Sequence, residues 1–161
     1  MKNNKILFLT PELPFPPVSG GKLKSWKLIE FLTQYYQVSI GSILKGNDED
    51  HLHDFMMACL IDKFYCRSVK RDRSLVNLAK SYLAKMPLNL YRTYSDEFKQ
   101  LIAEEIHHYE MVIIDHYEVF QYIPEDYQGK IILHEHNAYY LMWERYAQNH
   151  KNPRLKRMAA Y

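Results

Sequence analysis

Apolar residues follow two rhythms that alternate along the chain. Residues 6–9 (ILFL), 37–44 (QVSIGSIL), 63–69 (KFYCRSV), 111–115 (MVIID) and 130–133 (KIIL) form short apolar or alternating runs. Each is too short for a helix and fits a strand, with 6–9 and 130–133 reading as strands buried in a sheet. Between them the apolar positions recur at threes and fours. Leu23, Trp26, Ile29, Leu32 and Tyr36 predict a first helix. Leu52, Phe55, Met56, Cys59 and Leu60 predict a second, capped by Asp48. Leu75, Leu78, Ala79, Tyr82, Leu83 and Met86 predict a third, stopped by Pro87 and followed by irregular chain over 88–94 (LNLYRTY). Ser95 caps a fourth, with Phe98, Leu101, Ile102, Ile106 and Tyr109 on one face. A short helical piece is expected over 119–122, and further helices from Ala138 and from Pro153.

Strands alternating with helices imply parallel β-α units with right-handed crossovers. The fold class is therefore α/β: a Rossmann-like parallel sheet with helices on both faces, in one domain over residues 1–161. In such sheets ligands bind outside the carboxyl ends of the strands, at the point where the strand order reverses. Three chemically rich segments follow strand ends: the proline-rich loop leading to Gly20 and Gly21, the Asp115-His116 end, and His134-Glu135-His136-Asn137. They are expected to converge on one crevice.

Composition narrows the picture little. The chain has a net charge of +2 and is 47% hydrophobic, which is ordinary for a globular domain and too weakly basic to argue for nucleic acid. Cys59 and Cys66 lack C-x-x-C spacing and read as reduced thiols, consistent with cytoplasm. No apolar run approaches the length of a membrane span.

The strand, Gly-Gly turn and helix start resemble an anion site, where backbone N–H groups and the positive dipole end meet a phosphate. Neither G-x-G-x-x-G nor G-x-x-x-x-G-K-[ST] is present, so the bland reading, a tight turn, competes with phosphate binding. Lys22 and Lys24 oppose the helix dipole and favour an anionic ligand, although lysine is also a good solvated helix former. His116, carried by a rigid strand end, suits hydrogen bonding or proton transfer near neutral pH. H-x-H at His134 and His136 invites a metal reading, but spacing fixes no further ligand and no metal is expected. Asp115 with Glu135 as a hydrolytic carboxylate pair ranks low, since it demands a cleft this small chain is not expected to form. His51, His53, His107 and His108 read as solvated.

The segments ILFLTPELPFPPVSGGKLKSWKLIEFL, VIIDHYEVFQYIP and IILHEHNAYYLMWERYA resemble the amino-terminal domain of GT-B fold retaining glycosyltransferases, group 1 or family 4-like, of the bacterial surface-polysaccharide type. The resemblance spans most of the chain and is loose over residues 47–94. It implies one half of a GT-B fold, the acceptor side, facing a second domain that holds a nucleotide sugar. Gly20, Gly21 and Lys22 would approach the donor diphosphate, His116 would act as the catalytic group near the reacting sugar, Asp115 would serve the substrate site, and His136 and Asn137 would line the acceptor side. The implied transfer needs no metal or cofactor: the leaving phosphate helps deprotonate a glycan or lipid-linked acceptor. The second domain has no counterpart after Tyr161, so the chain reads as an amino-terminal fragment, expected to be inactive alone. Its expected location is the cytoplasm, with peripheral contact at the inner membrane face and self-association through an exposed interdomain face both compatible. The alternative is a freestanding Rossmann-like binding or interaction module without catalytic activity.

Overall fold

A computed structural model describes residues 4–135 together with Leu141, Glu144, Arg145, Gln148 and Asn149. His136, Asn137 and the helices expected from Ala138 and Pro153 lie largely outside the described residues. Five strands, β1 (Lys5–Thr10), β2 (Gln37–Leu44), β3 (Phe64–Ser68), β4 (Met111–Asp115) and β5 (Lys130–His134), form one sheet in the order β3-β2-β1-β4-β5. All four pairings are parallel. This is the α/β, Rossmann-like arrangement, and its order reverses between β1 and β4.

The side-chain period of two sorts the strand residues onto two cores. Ile6 and Phe8 of β1 join Val38, Ile40 and Ile113 against Trp26, Ile29 and Leu32 of α1 (Gly20–Tyr35) and Phe55 of α2 (Leu52–Ala58). Leu7 and Leu9 join Ile43, Val112 and Ile114 on the other face, against Phe98 and Ile102 of α5 (Asp96–Glu105) and Tyr122. The four apolar residues of β1 are fully buried, which is why this strand reads as an unbroken apolar run. The proline-rich loop folds back rather than standing off: Leu13 is buried, and Phe15 packs on Trp26 with ring centroids 5.1 Å apart.

Three expectations need correction. The chain over 88–94 is not irregular: α4 (Leu88–Thr93) forms there, and the Pro87 carbonyl, accepting from the Tyr91 N–H at 2.9 Å, starts it. Proline lacks an N–H but can open a helix as readily as end one. Asp48 does not cap a helix. It opens a 3-10 turn (Asp48–His51) and turns its carboxylate inward. β5 is not buried. It is an edge strand whose Ile131, Ile132 and Leu133 are 41%, 47% and 53% exposed. Helix α3 (Leu75–Leu83) forms where its spacing predicts, with its apolar stripe facing solvent. Cys59 and Cys66 are both free; Cys59 is buried, which pushes its thiol up to about 11. Among the described residues, no helix is long and apolar enough to cross a membrane.

Side chains of β1 and α5 crowd the face of β2 at Gly41. A Cβ there would lie 2.5 Å from Leu9 Cδ2 and 3.2 Å from both Ile102 Cδ1 and Phe98 Cζ. Gly41→Ala should therefore lower unfolding free energy by about 1–3 kcal/mol through overpacking. Urea denaturation checks this, and an unchanged midpoint would show that the Leu9 side chain yields freely.

Candidate functional site at the carboxyl edge of the sheet

Asp115 is the last residue of β4 and is 1% exposed. Burying a carboxylate is costly unless donors surround it. Ser25 of α1 donates its hydroxyl to Asp115 Oδ2 at 2.7 Å; the alternative acceptor, the Gly21 carbonyl, lies at 3.2 Å. Thr10, at the end of β1, shares its one hydroxyl proton between the Glu12 carbonyl at 2.9 Å and Asp115 Oδ2 at 3.2 Å. His134 Nδ1 stands 2.8 Å from Asp115 Oδ1. An ionised carboxylate only accepts, so this contact assigns the proton to Nδ1.

The next residue along each strand makes the reverse pairing. His116 Nδ1 lies 3.3 Å from Glu135 Oε2, within ion-pair range though not aligned as a hydrogen bond. Glu135 Oε1 accepts from the Tyr117 N–H at 2.6 Å. Asp115 and His134 are register partners in the β4–β5 ladder. The two strand ends thus exchange carboxylate and imidazole: Asp115 holds a histidine of β5, and Glu135 holds the histidine that follows β4. His116 itself has φ 74°, a backbone conformation uncommon outside glycine. It turns the chain out of the sheet into a 3-10 segment, Tyr117–Tyr122. Residues held in such conformations concentrate at functional sites, because packing must maintain them.

Across the switch point stands the start of α1. Ser19 caps the helix by accepting from the Lys22 N–H, so Gly20 and Gly21 are its first two residues rather than a loop before it. A Cβ on Gly20 would meet nothing within 4 Å, which leaves the approach to this helix end open. Lys22 turns inward and pairs with Asp48 Oδ1 at 3.1 Å. Asp48 Oδ2 also accepts the N–H groups of Leu13 and Lys45, at 3.1 Å and 3.0 Å, and so pins the proline-rich loop to the end of β2. Lys22 is accordingly compensated by a carboxylate as well as facing the site. The Lys45 ammonium is itself partly buried, which lowers its pKa, an effect offset in part by Glu118 and Glu12. A cation kept in a desolvated place is a natural counterpart for an anion.

Thr10, Pro11, Glu12, Pro14, Lys22, Ser25, Asp115 and His116 line one pocket of about 10 Å³, the room of a single water. Of the residues expected at the site, Lys22, Asp115 and His116 meet at this pocket, and Gly20 and Gly21 form the helix end beside it. His136 and Asn137 lie outside the described residues. Thr10, Ser25, Asp48 and Lys45 were not expected. Ser25 carried a signal, a small hydroxyl residue one turn into a helix on the side facing the sheet. Among the described residues no three histidine, cysteine or acidic side chains converge to hold a metal. Asp115 and Glu135 belong to separate histidine pairs, an arrangement unlike two carboxylates flanking one bond. No protein-family model, curated protein or solved structure matches the chain.

Asp115→Ala removes the acceptor shared by β1, α1 and β5 and leaves Ser25 and His134 to find new partners. The expected loss of stability is about 3 kcal/mol, measured by urea unfolding. A loss below about 0.5 kcal/mol would show that the carboxylate does not tie these elements together.

Proposed function

We propose that this domain is the acceptor side of a sugar-transfer site, completed by a second domain that carries a nucleotide-sugar donor. The observation that carries the reading is His116. It projects from the strand-order reversal, is held by Glu135 and a φ of 74°, and borders a pocket beside an open helix start. The resemblance of the three segments to the amino-terminal domain of retaining GT-B glycosyltransferases supplies the reaction class.

The pocket takes only a water, so a sugar and its diphosphate would rest on the rim, between His116 and the N–H groups at the start of α1. Donor phosphate would gain the positive helix end there, with Lys45 nearby. His116 offers an imidazole nitrogen to hydrogen-bond a sugar hydroxyl. The chain's contribution is then orientation and charge stabilisation, the leaving phosphate taking the acceptor proton. The substrate class is a nucleotide sugar with a glycan or lipid-linked acceptor, as in surface-polysaccharide synthesis at the cytoplasmic membrane face. A second reading, a binding module without catalysis, is favoured by the small size of the pocket.

The site is tested by an NMR titration of the chain with uridine diphosphate and guanosine diphosphate. Half of a site should bind weakly, with a Kd on the order of millimolar. Shifts should concentrate at Gly20, Gly21, Lys22 and His116, and His116→Ala should erase the response around β4. A submicromolar complex, or shifts centred elsewhere, would overturn the assignment.

A further inference from the structure

Helix α3 is inside out. Its inward side is polar: Ser81 is buried, and Ser74 and Asn77 are half-buried. These groups are satisfied locally, Ser74 by capping the Asn77 N–H, Ser81 by donating to the Leu78 carbonyl, and Asn77 by donating to the Asp72 carbonyl. Its outward side is apolar. Leu75, Tyr82 and Leu83 are 84%, 83% and 81% exposed, and Val76 and Leu78 are exposed with them. At 100° per residue these five positions and Ala79 span one continuous arc of the helix. Scattered exposed apolar residues need no explanation, but a contiguous arc on one helix indicates a surface that something covers.

Charge identifies the occupant. From Lys70 to Arg92 the chain carries six basic residues, Lys70, Arg71, Arg73, Lys80, Lys85 and Arg92, against the single acid Asp72, in a protein whose net charge is only +2. Arg71 and Arg92 are tied to backbone carbonyls and serve the fold. Lys70, Arg73, Lys80 and Lys85 are exposed, Lys80 within α3 and the others flanking it in the chain. A second copy would bring like charges together across such a surface. An apolar helix face with a tyrosine and a cationic rim matches instead the boundary of an anionic bilayer, where leucine and valine enter the acyl edge and lysines meet phosphate headgroups.

Hydrogen bonds tie the segment that follows α3 to the candidate site. Arg71 donates to the carbonyls of Tyr91 and Tyr94 at 2.6 Å and 3.0 Å and stacks on the Tyr91 ring. Asn89 of α4 donates to the Tyr117 hydroxyl at 3.1 Å, one residue from His116. We propose that α3 lies in the surface of an anionic membrane and holds the carboxyl edge of the sheet beside it. This surface stands whether or not the sugar-transfer reading does.

Vesicle flotation of the whole chain tests it. Phosphatidylcholine vesicles containing about 30 mol% phosphatidylglycerol should recover at least about fivefold more protein than phosphatidylcholine alone, and added salt should reduce the difference. Leu75→Ser with Leu83→Ser, and separately Lys80→Glu with Lys85→Glu, should each abolish the difference while leaving the thermal melt unchanged, since all four side chains are exposed. In a Leu83→Trp variant the new indole should shift its emission to the blue on adding the anionic vesicles. Failure to float, equal recovery with neutral vesicles, or binding indifferent to both double variants would overturn the proposal. So would a dimer in sedimentation that the double serine variant dissolves in the absence of vesicle binding, because the face would then pair two copies.

Discussion

The carboxylate of Asp115 sits at the end of β4 almost out of contact with water, and three other elements supply what water would have given it. Desolvating a carboxylate costs more than any one hydrogen bond returns, so the arrangement persists only while Thr10, Ser25 and His134 all hold their places. That requirement fixes the end of β1, the first turns of α1 and the end of β5 relative to one another. It does so at the strand-order reversal, where a parallel sheet opens its crevice. The exchange of carboxylate and imidazole between the two strand ends follows from the same geometry: register pairs Asp115 with His134, and the chain turning out at His116 meets Glu135.

A second buried carboxylate does the same on the other side of the crevice. Asp48 ties the proline-rich loop, the end of β2 and the Lys22 ammonium together. The loop is therefore held by a charge network as well as by the packing of Phe15 on Trp26. The helix start of α1 lies between these two fixed points, which gives its N–H groups a defined direction. Preorganisation of that kind is what a site needs when its contribution is orientation rather than bond making.

The fold was legible wherever burial dictated residue type. β1, β2 and β4 are buried on both faces, and their apolar runs predict their position closely. Ser95 marks the start of α5 because its hydroxyl caps the Phe98 N–H. Legibility failed where tertiary context decides. β5 has an apolar sequence yet lies at an edge, and α3 has a helical stripe that gives the period of the helix without the direction in which it faces. Asp48 stands where a cap is expected, and its inward turn follows from partners distant in sequence, the Leu13 N–H and the Lys22 ammonium, together with the Lys45 N–H. The site was legible in part. Strand ends plus topology bring Asp115, His116 and Lys22 together, whereas the roles of Thr10 and Lys45 depend on distances that no spacing rule contains.

The proton between Asp115 and His134 joins the edge strand to the buried hub. Nitrogen-15 NMR of the imidazole at neutral pH measures it directly. His134 should show a protonated Nδ1 whose proton exchanges slowly with water and resonates well downfield, and Asp115→Ala should remove that signal. A proton found only on Nε2, or an imidazole indifferent to Asp115, would contradict the claim that this carboxylate organises the site.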